Sequence, residues 1–150
     1  MQHRQARILI VDDHKVIVDL IRAHLKPYNF ELLVAYDGEE ALAKIAKSPP
    51  DLVLLDLMMP RVSGYDVCKA IKQNKETQFI PVIVITALQE LEDKLKAIEL
   101  GADDFLVKPF NKLELTTRIK SLLKMKELHD DLETTENILF SLAQALDAKD

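Results

Sequence analysis

Four apolar runs in this 150-residue chain each lead into a polar residue suited to phosphoryl or metal chemistry. Ile8–Val11 runs into Asp12 and Asp13, Leu52–Leu55 into Asp56, Val82–Thr86 finishes on Thr86, and Phe105–Val107 runs into Lys108. Three carboxylates brought close together repel, and each resists ionisation unless a cation compensates. A divalent ion held by oxygen answers that need, and Mg²⁺ takes few protein carboxylates while keeping waters that phosphate oxygens can replace. A carboxylate beside such an ion can act as a nucleophile and form an acyl phosphate. A lysine and a hydroxyl nearby would hold the phosphoryl oxygens. Taken singly, each residue also has a plain structural reading: Asp13 as the cap of the first helix, Asp56 as the cap of a turn before Pro60, Lys108 as a surface lysine. The joint reading rests on their shared position, because ligands of an open parallel sheet bind beyond the carboxyl ends of its strands.

The elements that must position these residues alternate along the chain. A fifth run, Glu31–Ala35, joins the four above, and four of the five are rich in Val, Ile or Leu without polar alternation, as parallel strands buried on both faces are. Helical spacing fills the intervals: His14–Leu25 with Val16, Leu20 and Leu25, Glu39–Lys47 with Leu42, Ile45 and Ala46, Tyr65–Gln73 with Val67, Cys68 and Ile71, and Gln89–Leu100 with Leu91, Leu95 and Ile98. Asp37-Gly38 and Ser63-Gly64 mark helix starts and Gly101 a helix end. Strict alternation of strand and helix predicts an α/β fold with a parallel sheet.

A last helix is expected from Asn111, capped by that residue with Glu114 three positions on. Leu115, Ile119 and Leu122 form a stripe suited to the sheet. Then Met125, Leu128, Leu132, Thr135, Leu139, Leu142 and Leu146 follow at spacings of 3, 4, 3, 4, 3 and 4, a heptad a/d series. The preferred expectation is a projecting helix that pairs with another chain as a homodimer. A helix folded back on its own domain is the alternative.

The set Ile8-Leu-Ile-Val-Asp-Asp13, Asp56-Leu-Met-Met-Pro-Arg-Val-Ser-Gly64, Val84-Ile-Thr-Ala87 and Gly101-Ala-Asp-Asp-Phe-Leu-Val-Lys-Pro-Phe110 closely resembles the receiver domain of bacterial two-component response regulators. The resemblance covers about residues 6–123. It implies a doubly wound, flavodoxin-like five-stranded parallel sheet of order 2-1-3-4-5, the order given for this family, with an extended C-terminal helix. It further implies Asp56 as phosphoacceptor, and Mg²⁺ held by Asp12, Asp13, Asp56 and the main-chain carbonyl of Met58. Lys108 would pair with the phosphoryl group, with the Lys108–Pro109 bond cis. Thr86 would donate its hydroxyl and move inward, and Phe105 would be the switch aromatic. A histidine kinase is the implied phosphoryl donor, so the only chemistry implied for this chain is its own phosphorylation and dephosphorylation. Met58 and Leu88 are apolar where polar side chains in some relatives help position water, which predicts slow autodephosphorylation.

Composition narrows the remaining classes. The chain is 48% hydrophobic and 30% charged, too apolar for disorder. Its net charge of −5 disfavours direct nucleic-acid or anionic-membrane binding. No apolar run approaches a membrane span, and the polar start carries no signal peptide. Cys68 is the single cysteine and reads as a small core residue, which fits a reducing cytoplasm. His3, His14, His24 and His129 lack metal-ligand spacing; His14 sits beside the acidic pocket, where it could influence the pocket's charge, but a helix-surface role is the preferred reading. Lys112–Lys126 is basic and Glu127–Asp150 acidic, the ordinary pattern of a solvated helix.

These features divide the chain into a receiver over 1–123 and a helical coiled-coil linker over 124–150. Ser141–Asp150 resembles the beginning of HD-GYP domains, which are cyclic-di-GMP phosphodiesterases, so the expectation is a linker to such an output. A linker to a diguanylate cyclase and a stand-alone adaptor are the alternatives.

Overall fold

The computed structural model describes residues 4–87 and 90–148. Ten elements alternate: β1 (Arg7–Val11), α1 (Lys15–Leu25), β2 (Glu31–Ala35), α2 (Gly38–Lys47), β3 (Leu52–Leu55), α3 (Gly64–Gln73), β4 (Val82–Thr86), α4 (Leu91–Glu99), β5 (Asp104–Val107) and α5 (Lys112–Asp147). All strand pairs are parallel and the sheet order is β2-β1-β3-β4-β5. The doubly wound architecture is therefore as expected, long C-terminal helix included.

Side chains alternate across the sheet and divide the core in two. Leu9, Val11, Val53, Leu55, Val82 and Val84 cluster with Ala41, Ile45, Val67, Ile71 and Ala97 of α2, α3 and α4. Ile8, Ile10, Leu52, Leu54, Ile83 and Ile85 cluster with Val18, Ile21 and Leu25 of α1 and Leu115 and Ile119 of α5. Strands covered on both faces have no polar side to show, hence their unbroken apolar runs. Cys68 is buried in the first cluster, and burial pushes its thiol up to about 11.

Several helix faces differ from expectation. In α1 the sheet takes Val18, Ile21 and Leu25, whereas Val16 is 79% exposed and Leu20 also faces solvent. The helix is apolar on two sides, and spacing alone does not say which one is covered. In α2 Ile45 is buried, Leu42 half-buried and Ala46 exposed. In α3 Val67, Cys68 and Ile71 are buried as expected. In α4 the expected core stripe of Leu91, Leu95 and Ile98 lies outside, and Ala97 is the buried residue. The expected start of α4 at Gln89 lies outside the described residues.

Helix starts follow local chemistry. Asp37 accepts from the Glu40 amide, Ser63 and Asp66 form a reciprocal capping box, and Asn111 accepts from the Glu114 amide. Asp13 does not cap α1. His14 occupies the N-cap and makes no side-chain capping bond; its ring lies against Asp12 and Asp13 instead.

α5 is one unbroken helix of 36 residues, about 54 Å at 1.5 Å per residue. No break marks residue 123. Contact with the body continues through half-buried Lys126, Glu127, His129 and Asp130, and the His129 ring stacks on Phe79 with centroids 4.0 Å apart. From Asp131 to Ala148 every residue is exposed. No described helix is long and apolar enough to cross a membrane.

Candidate functional site

β1 and β3 lie side by side with Val11 opposite Leu55, so the residues just after them meet at one sheet edge. Asp12 is 2% exposed and Asp56 4%. The Asp56 amide is tied to the Val11 carbonyl at 2.9 Å and the Asp12 amide to the Ala35 carbonyl at 3.2 Å, which fixes both carboxylates on the core strands. β4 and β5 bring the other two groups: Thr86 pairs with Val107, and the Lys108 amide donates to the Thr86 carbonyl at 2.8 Å.

Lys108 reaches back over this edge. Its Nζ lies 2.8 Å from Asp12 Oδ2 and 3.7 Å from Asp56 Oδ2. Lys108–Pro109 is a cis peptide. Thr86 is 1% exposed. Phe105 is half-buried against the α3–α4 side of the core, with Lys94 Nζ 5.5 Å from its ring centroid. Met58 is 58% exposed, and its amide lies 3.5 Å from Asp56 Oδ1. Leu88, paired with Met58 in the expectation of slow hydrolysis, lies outside the described residues.

The charge balance of this edge suits a bound cation. Asp12, Asp13 and Asp56 offer three carboxylates, and among the described residues Lys108 is the cation bridging two of them. Burial pushes the Asp56 carboxyl above the usual range. Lys108 pulls it down, and the charges of Asp12 and Asp13 push it up again. A divalent ion would supply the charge the set lacks, and hard carboxylate oxygens suit Mg²⁺. The donor set therefore fits, with Asp12, Asp13 and Asp56 as the side chains that would hold it.

Two features differ from the preferred sequence reading. His14 is not simply a surface residue: its Nδ1 lies 3.0 Å from Asp12 Oδ1 and 3.1 Å from Asp13 Oδ1. Its position directly after the acidic pair was the available signal. Gly64, read only as a helix start, presses against the backbone of Asp56. A Cβ there would lie 2.1 Å from the Asp56 carbonyl oxygen, a proximity that no local spacing reveals.

Comparison with known proteins agrees with this geometry. The family profile described as the response regulator receiver domain matches residues 8–120. The chain is 43% identical over 131 residues to the response regulator PleD of Caulobacter vibrioides, covering 87% of this chain and 29% of that protein. It is 41% identical over 122 residues to the alkaline phosphatase synthesis transcriptional regulatory protein PhoP of Bacillus subtilis, covering 81% and 50%. It thus spans half or less of either relative. Among solved structures, the signal receiver domain of a Luxo repressor protein from Vibrio parahaemolyticus aligns with a TM-score of 0.82 at 33% identity, covering 87% of this chain and 98% of that one. The chemotaxis protein CheY4 of Vibrio cholerae aligns with a TM-score of 0.74 at 32% identity, covering 79% and 99%.

Proposed function

The chain belongs to the response regulator receiver family, and from that premise we propose that it is a phosphoacceptor switch in which Asp56 takes a phosphoryl group from a histidine kinase. The observation that carries this reading is Asp56 itself, 4% exposed at a sheet edge, with Lys108 between it and Asp12.

An Asp56 carboxylate oxygen attacks the phosphorus of the kinase's phosphohistidine in line. The new P–O bond forms as the P–N bond breaks, and the imidazole leaves with the bonding pair. Lys108 exchanges part of its contact with Asp12 for the incoming oxygens. Thr86 donates its hydroxyl to one of them and moves inward, and Phe105 fills the space it leaves. Asp12, Asp13, Asp56 and the Met58 carbonyl would hold Mg²⁺, which would supply neutralising charge for the transferring group. The product brings up to two negative charges and three acceptor oxygens. These bias the face formed by α4 and α5 between two pre-existing arrangements.

The signal leaves along α5. The exposed a/d series from Met125 to Leu146 supports a homodimer through the helix, and residues 124–150 then act as the linker. Ser141–Asp150 supports an output domain of the cyclic-di-GMP phosphodiesterase type. The exposed Leu91, Leu95 and Ile98 of α4 favour a second reading, an adaptor that binds a partner protein directly. Reading the coding sequence beyond residue 150 separates the two.

Incubation with a radiolabelled phosphodonor tests the central reading. Mg²⁺-dependent labelling of the native chain and none of Asp56→Asn is expected. Labelling that survives the substitution overturns the assignment.

A further inference from the structure

We propose that His14 is a ligand of the divalent-ion pocket, giving it a nitrogen donor through which it takes first-row transition ions such as Co²⁺ and Mn²⁺ as well as Mg²⁺. This rests on the reading that the pocket binds a divalent cation, and it adds a residue that sets which ion is preferred.

The imidazole is placed for this role. His14 is the N-cap of α1, yet its side chain makes no capping bond. The ring turns instead to the pocket, with Nδ1 at 3.0 Å from Asp12 Oδ1 and 3.1 Å from Asp13 Oδ1. The backbone fixes that direction, because the His14 amide donates to the same Asp12 Oδ1 at 2.9 Å. The two oxygens of Asp12 are thereby divided, Oδ2 facing Lys108 and Oδ1 facing His14.

The separations of Nδ1 from the two carboxylate oxygens, 3.0 and 3.1 Å, match neighbouring donors of a shared coordination shell. Adjacent donors of an octahedral ion with bonds of about 2.1 Å lie about 3.0 Å apart, and opposite donors about 4.2 Å. One atom each from Asp12, Asp13, His14 and Asp56 fall within 4.8 Å of one another. An all-oxygen set suits Mg²⁺, whereas an imidazole raises affinity for later first-row ions much more than for Mg²⁺. The 63% exposure of the His14 side chain leaves room for the ring to settle on an ion without repacking the core.

The pocket's selectivity separates this from a purely structural histidine. Titration calorimetry with Mg²⁺ and with Co²⁺ is run on the whole chain in a His3→Ala/His129→Ala background, so that those two imidazoles do not compete. His14→Phe and His14→Gln are compared with the parent. The expected result is a Co²⁺ affinity lowered about tenfold or more with Mg²⁺ affinity changed less than about twofold. Electron spin echo modulation of the Mn²⁺-loaded parent should show a directly coordinated ¹⁴N that both variants lack, a readout independent of phosphotransfer. Equal losses for both metals, no loss for either, or no nitrogen coupling overturns the proposal. A parent that binds neither ion overturns the cation-pocket reading itself.

Discussion

At the scale of single residues, Asp56 sets stability against function. Its burial raises the carboxyl above the ordinary range, so the folded chain holds that proton more tightly than the unfolded chain does. The stabilisation linked to that proton is complete below the unfolded value and is lost as pH rises through the folded one. At neutral pH the ionised group is thus a cost that Asp56→Asn removes. The variant should melt a few degrees higher than the native chain at pH 7 without Mg²⁺, and the gap should close below about pH 4. Added Mg²⁺ should recover part of the difference for the native chain alone. Equal melting temperatures at pH 7 would contradict the argument. Gly64 predicts the opposite sign. An alanine Cβ meets the Asp56 carbonyl oxygen at 2.1 Å and Leu57 Cα at 2.6 Å, both backbone atoms that cannot swing aside. Gly64→Ala should cost about 2–3 kcal/mol, seen as a lower urea midpoint. Of these neighbours, Asp12, Asp13, Asp56, Thr86 and Lys108 were legible because each follows an apolar run. Gly64 was not, because its importance lies in a backbone approach that no local spacing shows, and His14 showed its place beside the acidic pair but not the direction of its ring.

At the scale of elements, helical spacing identified an apolar face but not what covers it. Val67, Cys68 and Ile71 of α3 do meet the sheet, whereas Leu91, Leu95 and Ile98 of α4 face solvent at 69%, 48% and 57% exposure. Both stripes follow the same helical period, and only the packed sheet decides between them. The consequence is that α4 is lightly held. Ala97 is its buried residue, and Tyr65 steadies it from α3, with its hydroxyl 3.4 Å from Asp93 Oδ1 and Lys96 Nζ 4.3 Å from its ring centroid. Amide hydrogen exchange should therefore be faster in α4 than in α3, the signature of a low-stability element that can move. Tyr65→Phe keeps the ring and removes the hydroxyl. It should speed exchange in α4 by about two- to fivefold, the size of one weak hydrogen bond, and leave β1 and β3 unchanged. Protection in α4 equal to that of α3 would show that the element is firmly packed.

At the scale of the whole molecule, α5 meets the body on one side and leaves its a/d series exposed on the other. With Met125 as a, Leu115, Ile119, Leu122, Lys126, His129 and Asp130 occupy heptad positions b, e and f, the side that meets the body. The a and d residues point away, and Leu128, Leu132, Leu139, Leu142 and Leu146 are all more than half exposed. A second helix can therefore pair along a and d without displacing the first contact, provided the two chains run parallel. Leu139 and Leu142 lie in the stretch beyond Asp130 where every described residue is exposed, so charging them tests the pairing alone. The native chain should sediment as a dimer, and Leu139→Glu/Leu142→Glu as a monomer whose melting temperature at low concentration is unchanged. Removal of the residues after Lys126 should also give a monomer. Charge adds a further check. In a parallel pair Asp131 at g faces Glu136 at e of the opposing helix, a like-charge contact, so the dimer should tighten as salt screens it. Thr135, the polar d residue, should tighten it as well when replaced by leucine, because a buried hydroxyl gives way to apolar surface. Sedimentation equilibrium at low and high salt measures both effects. A dimer that survives the double glutamate variant would place the interface elsewhere on the molecule.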